Sequence, residues 1–262
     1  MRKVLIVVVV CLVVFCSRIT FASPLNLPEG IKWEEGLGLI KGMTKDIGLS
    51  AAYLYDHVSK RELSDDVGDL NYDLMGGKIT LSLVNKVDIY TTLGELQSPK
   101  IDAGDDISFS FEDNFMWGFG TSAIIYKDEK SGIQLLGDGN YRQSSGISFD
   151  SLDVNGTHIS KAQLDSVGVT ATGKLQEWQA ALGISRKFEY VAPYVGIKYS
   201  DVKVSGSVDY SGTSYDLGSA KSENKVGPFV GASITPTKSI SIDVSGRFVD
   251  ETAISVSTTI RF

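Results

Sequence analysis

Beyond residue 22 the sequence has no cysteine; the two it contains are Cys11 and Cys16. A mature chain without them carries no disulfide, thiolate metal site or cysteine nucleophile, which suits an oxidising compartment. Histidine is scarce as well, with only His57 and His158. There is no zinc-type histidine pair, no glycine-rich phosphate cradle and no Ser-x-x-Lys motif. Basic charge is in deficit, 25 Lys and Arg against 32 Asp and Glu, which argues against nucleic acid as a partner. Long apolar runs are missing too. The run Val4–Phe15 falls short of the roughly 20 residues a spanning helix needs, and no other stretch reaches that length. Any membrane crossing therefore falls to a closed β-barrel, because only helices and closed barrels satisfy every backbone polar group in lipid.

What is present starts with Met1-Arg2-Lys3, the short apolar run, and Thr20-Phe21-Ala22-Ser23. This is the pattern of a secretory signal peptide, with cleavage expected after Ala22. Cys16 raises lipid attachment as an alternative, but the bulky Val14 and Phe15 precede it where small residues are expected. Losing residues 1–22 removes Arg2, Lys3 and Arg18 and leaves a chain about ten charges negative. The expected organisation is a signal peptide (1–22), an N-terminal periplasmic or lumenal segment (23–46) and a transmembrane β-barrel (47–262). Within 23–46, Trp33, Leu37 and Ile40 suit a helical face, while Leu37 and Leu39 suit a strand.

Hydrophobicity alternates with period two. At the C-terminus Ile254, Val256, Thr258, Ile260 and Phe262 share one face, and Ser255, Ser257, Thr259 and Arg261 the other. The preceding segment repeats this, with Ile240, Ile242, Val244 and Phe248 opposed to Ser241, Asp243, Ser245 and Arg247. Similar segments fall near 47–58, 72–84, 87–96, 115–126, 133–143, 174–185, 190–204 and 225–235. The expected fold is all-β, an antiparallel up-and-down transmembrane barrel of about ten strands, with eight or twelve as alternatives. Connections alternate between short (Asn85-Lys86, 127–132, 186–189, 236–238) and longer, Ser/Gly/Asp/Asn-rich ones (60–71, 97–114, 144–172, 205–224). The tight Val249–Thr252 turn is an exception on the long side, and Asp250 suits it. Short turns on the periplasmic side and long loops outside are the barrel habit. Aromatic residues gather at both strand ends: Phe115, Trp117, Tyr141, Trp178, Tyr199 and Phe248 toward the loops, Tyr126, Phe188, Tyr190 and Phe262 toward the turns. Two such girdles fit two membrane interfaces. A soluble β-sandwich also carries aromatics on strands, but it does not account for the signal peptide or the terminal strand.

On the strength of Ile254-Ser255-Val256-Ser257-Thr258-Thr259-Ile260-Arg261-Phe262, the chain resembles a Gram-negative outer-membrane β-barrel protein. The resemblance implies export through the periplasm and contact with outer-membrane lipid and lipopolysaccharide. It also implies that Val256, Thr258, Ile260 and Phe262 form the signal read by the barrel-insertion machinery.

With the apolar face outward, the lumen receives the acids Asp56, Asp88, Asp138, Glu177 and Asp243 and the bases Lys78, Arg142, Lys198, Arg247 and Arg261. Small residues fill much of the rest, among them Gly118, Gly120, Ser122, Asn140, Gly183, Gly196, Gly231 and Ser245. A lone charge there is costly, so the expectation is a network of paired charges, with Lys78, Asp138, Arg142, Lys198, Asp243 and Arg247 as candidates. A ten-stranded barrel lies near the size that side chains fill, although the glycines suggest room for a narrow water path.

Other chemistry is thinly represented. His57, near a loop end beside Asp56, admits comparison with barrel proteases that pair a rim histidine with aspartates; Asp65, Asp66, Asp105 and Asp106 are the acids available. No motif distinguishes it from a solvated rim residue, and the same holds for His158. Asp102-Ala103-Gly104-Asp105-Asp106 has carboxylates suited to calcium but lacks EF-hand spacing. The expectation is a non-enzymatic barrel without cofactor or metal, porin-like or structural, with a narrow or largely filled polar lumen. The alternatives are a surface adhesin or binding protein using its long loops and, more distantly, a hydrolase; small solutes and surface ligands are the corresponding partners.

Overall fold

In a computed structural model the described residues are 47–262 apart from 65–66, 84–85 and 105. The expected signal peptide (1–22), the segment 23–46 and the rim candidates Asp65, Asp66 and Asp105 lie outside them.

One antiparallel ring organises the molecule. Its strands are β1 (Ile47–Leu63), β2 (Gly68–Leu83), β3 (Val87–Asp102), β5 (Asn114–Asp128), β6 (Ile133–Val154), β8 (Val169–Arg186), β9 (Val191–Tyr210), β11 (Val226–Thr237), β12 (Ile240–Arg247) and β13 (Thr252–Arg261). Each pairs with the next in this order, and β13 closes on β1 with Ser50 opposite Arg261 and Val58 opposite Ala253. Ten strands thus leave no edge. The short strands β4 (Ile107–Phe111), β7 (Thr157–Ser160) and β10 (Thr213–Lys221), with the helix α1 (Lys161–Ser166), belong to the loop end.

Along the turn-end part of the ring, apolar side chains point out and polar ones in. On β9, Val195, Ile197 and Tyr199 are exposed while Lys198 and Ser200 are buried. On β8, Trp178, Leu182 and Ile184 are exposed while Glu177, Gln179 and Ser185 are buried. On β13, the inward Ser255, Ser257, Thr259 and Arg261 are buried; Ile260 faces out, as do the less exposed Val256 and Thr258. The upper edge of this belt is marked by Tyr141. Its ring packs 4.6 Å from that of Trp178 and 5.8 Å from that of Trp117. Its hydroxyl meets the first polar outward residues, donating to Gln143 Oε1 at 2.6 Å and accepting from Gln176 Nε2 at 2.7 Å. An apolar ring with a polar tip suits the membrane interface.

The expected long loops are corrected by the structure. Most of 60–71, 97–114, 144–172 and 205–224 is strand: β6 runs for 22 residues and β9 for 20. Above the belt the polarity of the same strands reverses. On β9, Val202 is buried while Lys203 points out; on β8, Leu175 is buried between the outward Lys174 and Gln176; on β2, Leu70 and Tyr72 are buried beside outward Asn71 and Asp73. Read for an apolar outer face, such a stretch looks like loop composition.

The reversal accompanies a second closure. Where β5 has ended, β4 pairs with both β3 and β6. Beyond the end of β11, β10 pairs with β9 and reaches back to β1. There Leu63 bridges to Ser222, the Ser64 amide donates to the Lys221 carbonyl at 2.7 Å, and the Glu223 amide to the Glu62 carbonyl at 3.0 Å. The upper wall therefore consists of β1, β2, β3, β4, β6, β8, β9 and β10, eight strands enclosing an apolar interior of Leu63, Leu70, Ile101, Leu175, Val202 and Ala220.

Candidate functional site

Between the two storeys lies a layer of charge. Asp56 and Arg61 come from β1, Arg142 from β6, Glu177 from β8, Lys198 from β9 and Arg247 from β12; Asp250 and Glu251 come from the β12–β13 hairpin. Four bases face four acids, and all but Arg142 are almost wholly buried. Arg61 Nη1 donates to Glu177 Oε1 at 2.9 Å and its Nη2 to Ser200 Oγ at 2.8 Å. Arg142 donates to both Glu177 Oε2 (2.5 Å) and Asp56 Oδ2 (3.1 Å). Arg247 also pairs with Asp56, donates to Ser255 Oγ at 2.8 Å, and lies 2.6 Å from Glu251. Lys198 pairs with Glu251 and with Asp250 Oδ2 at 2.6 Å. Arg61 completes the circuit 2.5 Å from Glu251.

Two geometric points decide what this layer does. First, β1 and β8 stand opposite each other in the ring, so the Arg61–Glu177 bond crosses the full lumen. Second, the ends of the network are supplied by a strained hairpin. Val249 has φ 80°, a left-handed conformation rare for a β-branched residue, and the carboxylates after it are buried inside the barrel. Burial raises the pKa of the Glu251 carboxyl, but Arg247, Arg61 and Lys198 outweigh it and hold the group well below the usual range. Asp250 is displaced upward, by burial and then by Glu251, against the pull of Lys198 and Arg61.

Nearer the turn end a second, smaller set is built around tyrosines. Tyr90 donates to Asp138 at 3.0 Å, Asn140 Nδ2 to Asp138 at 3.3 Å, and Tyr194 to Asp243 at 2.7 Å. Lys78 Nζ lies 5.5 Å from the Tyr90 ring centroid. Lower still, Arg261 donates to Ser241 Oγ at 3.0 Å. Of the six candidate network residues, Arg142, Lys198 and Arg247 lie in the upper layer, and Lys78, Asp138 and Asp243 lie in the lower. The sequence reading missed Arg61, because a bulge between Val58 and Lys60 shifts the register. It missed Asp250 and Glu251 as site residues because a tight turn gives no sign of folding inward.

Two of the lumenal glycines make room for aromatic rings. A Cβ on Gly120 would lie 2.4 Å from the Tyr90 ring, and one on Gly231 2.3 Å from that of Tyr194. Gly120 and Gly231 are recesses into which these two rings are laid.

A closed ring with an apolar belt, an interface girdle, a polar interior and short turns at one end is built for lipid without helices. The fold is that of a transmembrane β-barrel. Neither a protein-family profile nor a curated protein matches the chain. Among solved structures it is similar to Ail, the attachment invasion locus protein of Yersinia pestis (12% identity, 84% of this chain, 100% of that one, TM-score 0.40). It is also similar to the outer membrane protein OprG of Pseudomonas aeruginosa (11%, 85% and 99%, TM-score 0.40). A third is the translocator domain of the autotransporter NalP of Neisseria meningitidis (11%, 83% and 88%, TM-score 0.43).

The histidines of this barrel are placed apart from its buried charges. His57 points out of the wall, 2.5 Å from Asp73 on the neighbouring strand, and Asp56 beside it points in. His158 pairs with Asp153 at 2.9 Å on an exposed hairpin. Asp102 is held by Lys100 at 2.7 Å and Asn71 at 2.9 Å.

Proposed function

We propose that the protein is a sealed, non-enzymatic outer-membrane barrel whose membrane part is an anchor and whose work is done by the storey raised on the outer side. The supporting observation is the charge layer: the Arg61–Glu177 bond spans the lumen, and its neighbours fill the section around it. A wetted pore lined by charge leaves its carboxylates exposed, whereas Asp56, Glu177 and Glu251 are at most 3% exposed. Neutral pairing of this kind is weak support for stability; what supports closure is its burial. Porin-like conduction is the competing reading, and the girdle residues are the expected contacts with lipid. The test is planar-bilayer recording of the refolded mature protein, with insertion checked by protease protection. A silent bilayer for the native chain supports the anchor. Discrete salt-dependent current steps would sink it.

A further inference from the structure

Glycines are used in opposite ways in the two storeys. Below, the Tyr90 and Tyr194 rings occupy the recesses made by Gly120 and Gly231. Above, Gly173 on β8 and Gly206 on β9 face each other across the strand pair, both in the inward register of Leu175 and Val204. Neither recess is filled: a Cβ on Gly206 would first meet Leu217 at 3.4 Å, and one on Gly173 would stand in ordinary contact, 3.7 Å from the Phe111 ring and the Ile147 carbonyl. What they border is a cavity of about 550 Å³ within the eight-stranded wall. Its other walls include Ile101, Phe109, Phe149 and Val204, and Lys174, whose register points outward, is the one charged residue touching it. Leu217 also lines it yet is 66% exposed, so it stands at an opening to solvent.

Protein interiors rarely keep apolar voids larger than a water molecule, and ligand pockets occupy about 300–1,000 Å³. Barrels of eight strands are the size that encloses one small ligand. With no carboxylate in the wall and no inward-pointing base, an ion has no group of opposite charge to recognise it there, and the inward-facing wall of Ile101, Phe109, Phe149, Leu175 and Val204 is hydrocarbon. We propose that the upper storey is a binding cup for one small uncharged hydrocarbon, taken up from the outer side past Leu217. The site deepens the reading of the barrel as an anchor for an outer storey and rests on it. It is nonetheless tested separately, since bilayer current reads the charge layer and the following experiment reads the cup.

The mature protein in phosphatidylcholine nanodiscs is photolabelled with a trifluoromethyl phenyl diazirine, and adducts are mapped by mass spectrometry with and without excess naphthalene. Belt residues such as Ile197 serve as an internal reference, because labelling from bulk lipid is not saturable. Adducts on Phe109, Phe149 or Val204 that are mostly lost with naphthalene, while belt adducts persist, are the expected result. A G173L/G206L double variant, which fills the cup, should lose the same adducts and keep those of the belt. Absence of cup adducts, or cup adducts that naphthalene does not reduce in the native protein, would overturn the proposal. The competition alone decides it should the filled variant fail to fold.

Discussion

The same strands behave as two different proteins along their length. Below Ser200, β9 presents Val195, Ile197 and Tyr199 outward and buries Tyr194 and Lys198; above it, Lys203 points out and Val202 is buried. Neither the hydrogen-bonded ladder nor the period of two changes across this boundary. What changes is the solvent. In lipid the outer face must be apolar and the enclosed face takes the polar groups; in water the assignment reverses. The charge layer sits at the crossover, where an apolar core above meets a polar lumen below. A strand's polarity phase therefore locates the membrane edge more sharply than its composition does.

The largest effect is expected at the crossover itself. Removing one member of a buried, charge-balanced set leaves its partners uncompensated, at a cost of about 3–5 kcal/mol. Glu177→Ala takes one of two carboxylate partners from both Arg61 and Arg142, leaves the layer one charge positive and is expected to fall in that range by urea unfolding in lipid vesicles. A cost under about 1 kcal/mol, the value of an exposed pair, would mean that water reaches the layer and that the two storeys are not separated there.

Next in size is a charge on the lipid face. Val195 is 57% exposed in the middle of the outward run on β9. Val195→Arg is expected to cost about 2–4 kcal/mol, the range for a basic residue near the bilayer midplane. The same assay on detergent-solubilised protein should show a smaller loss, because a micelle deforms around the charge more readily.

Overpacking comes third. Gly231→Val drives a branched side chain into the Tyr194 ring, and such insertions cost about 1–3 kcal/mol. Gly206→Ala, with no ring above it, should cost less than about 1 kcal/mol, chiefly through the backbone. Equal losses at the two sites would break the distinction drawn between filled recesses and an open cup.

Much of the lower storey was legible from sequence. Ten alternating segments, the short turns and the two aromatic sets all follow from an apolar outer face, and that face is continuous from Ile254 to Ile260 and from Val191 to Tyr199. The upper storey was not, because the same criterion applied above the crossover finds Lys, Ser and Asp outward and reports a loop. A search for alternation of either sign would have continued β9 through Val202, Val204 and Val208. The site was half legible: Arg142, Lys198 and Arg247 follow from strand phase, whereas Arg61 lies past a bulge, and Asp250 and Glu251 depend on a hairpin bent inward at Val249. Such contacts join positions up to 191 residues apart, as in Asp56 with Arg247, and no local pattern encodes them.

The smallest expected effect tests where the boundary falls. Lys203 points outward on β9, two outward positions beyond Tyr199, on the face that Ile197 shares. If the crossover lies between Ser200 and Val202, this side chain is in water and forms no ion pair within the described residues. Lys203→Leu should then shift stability by no more than about 0.5 kcal/mol, as surface substitutions do, in vesicles and in detergent alike. A leucine buried in acyl chains would instead gain about 1.5–3 kcal/mol, and only where lipid is present. A gain in vesicles that vanishes in detergent would place Lys203 inside the bilayer and raise the membrane edge by two outward positions on β9. It would also carry the charge layer from the interface into the membrane, where its neutrality would matter for insertion as well as for closure.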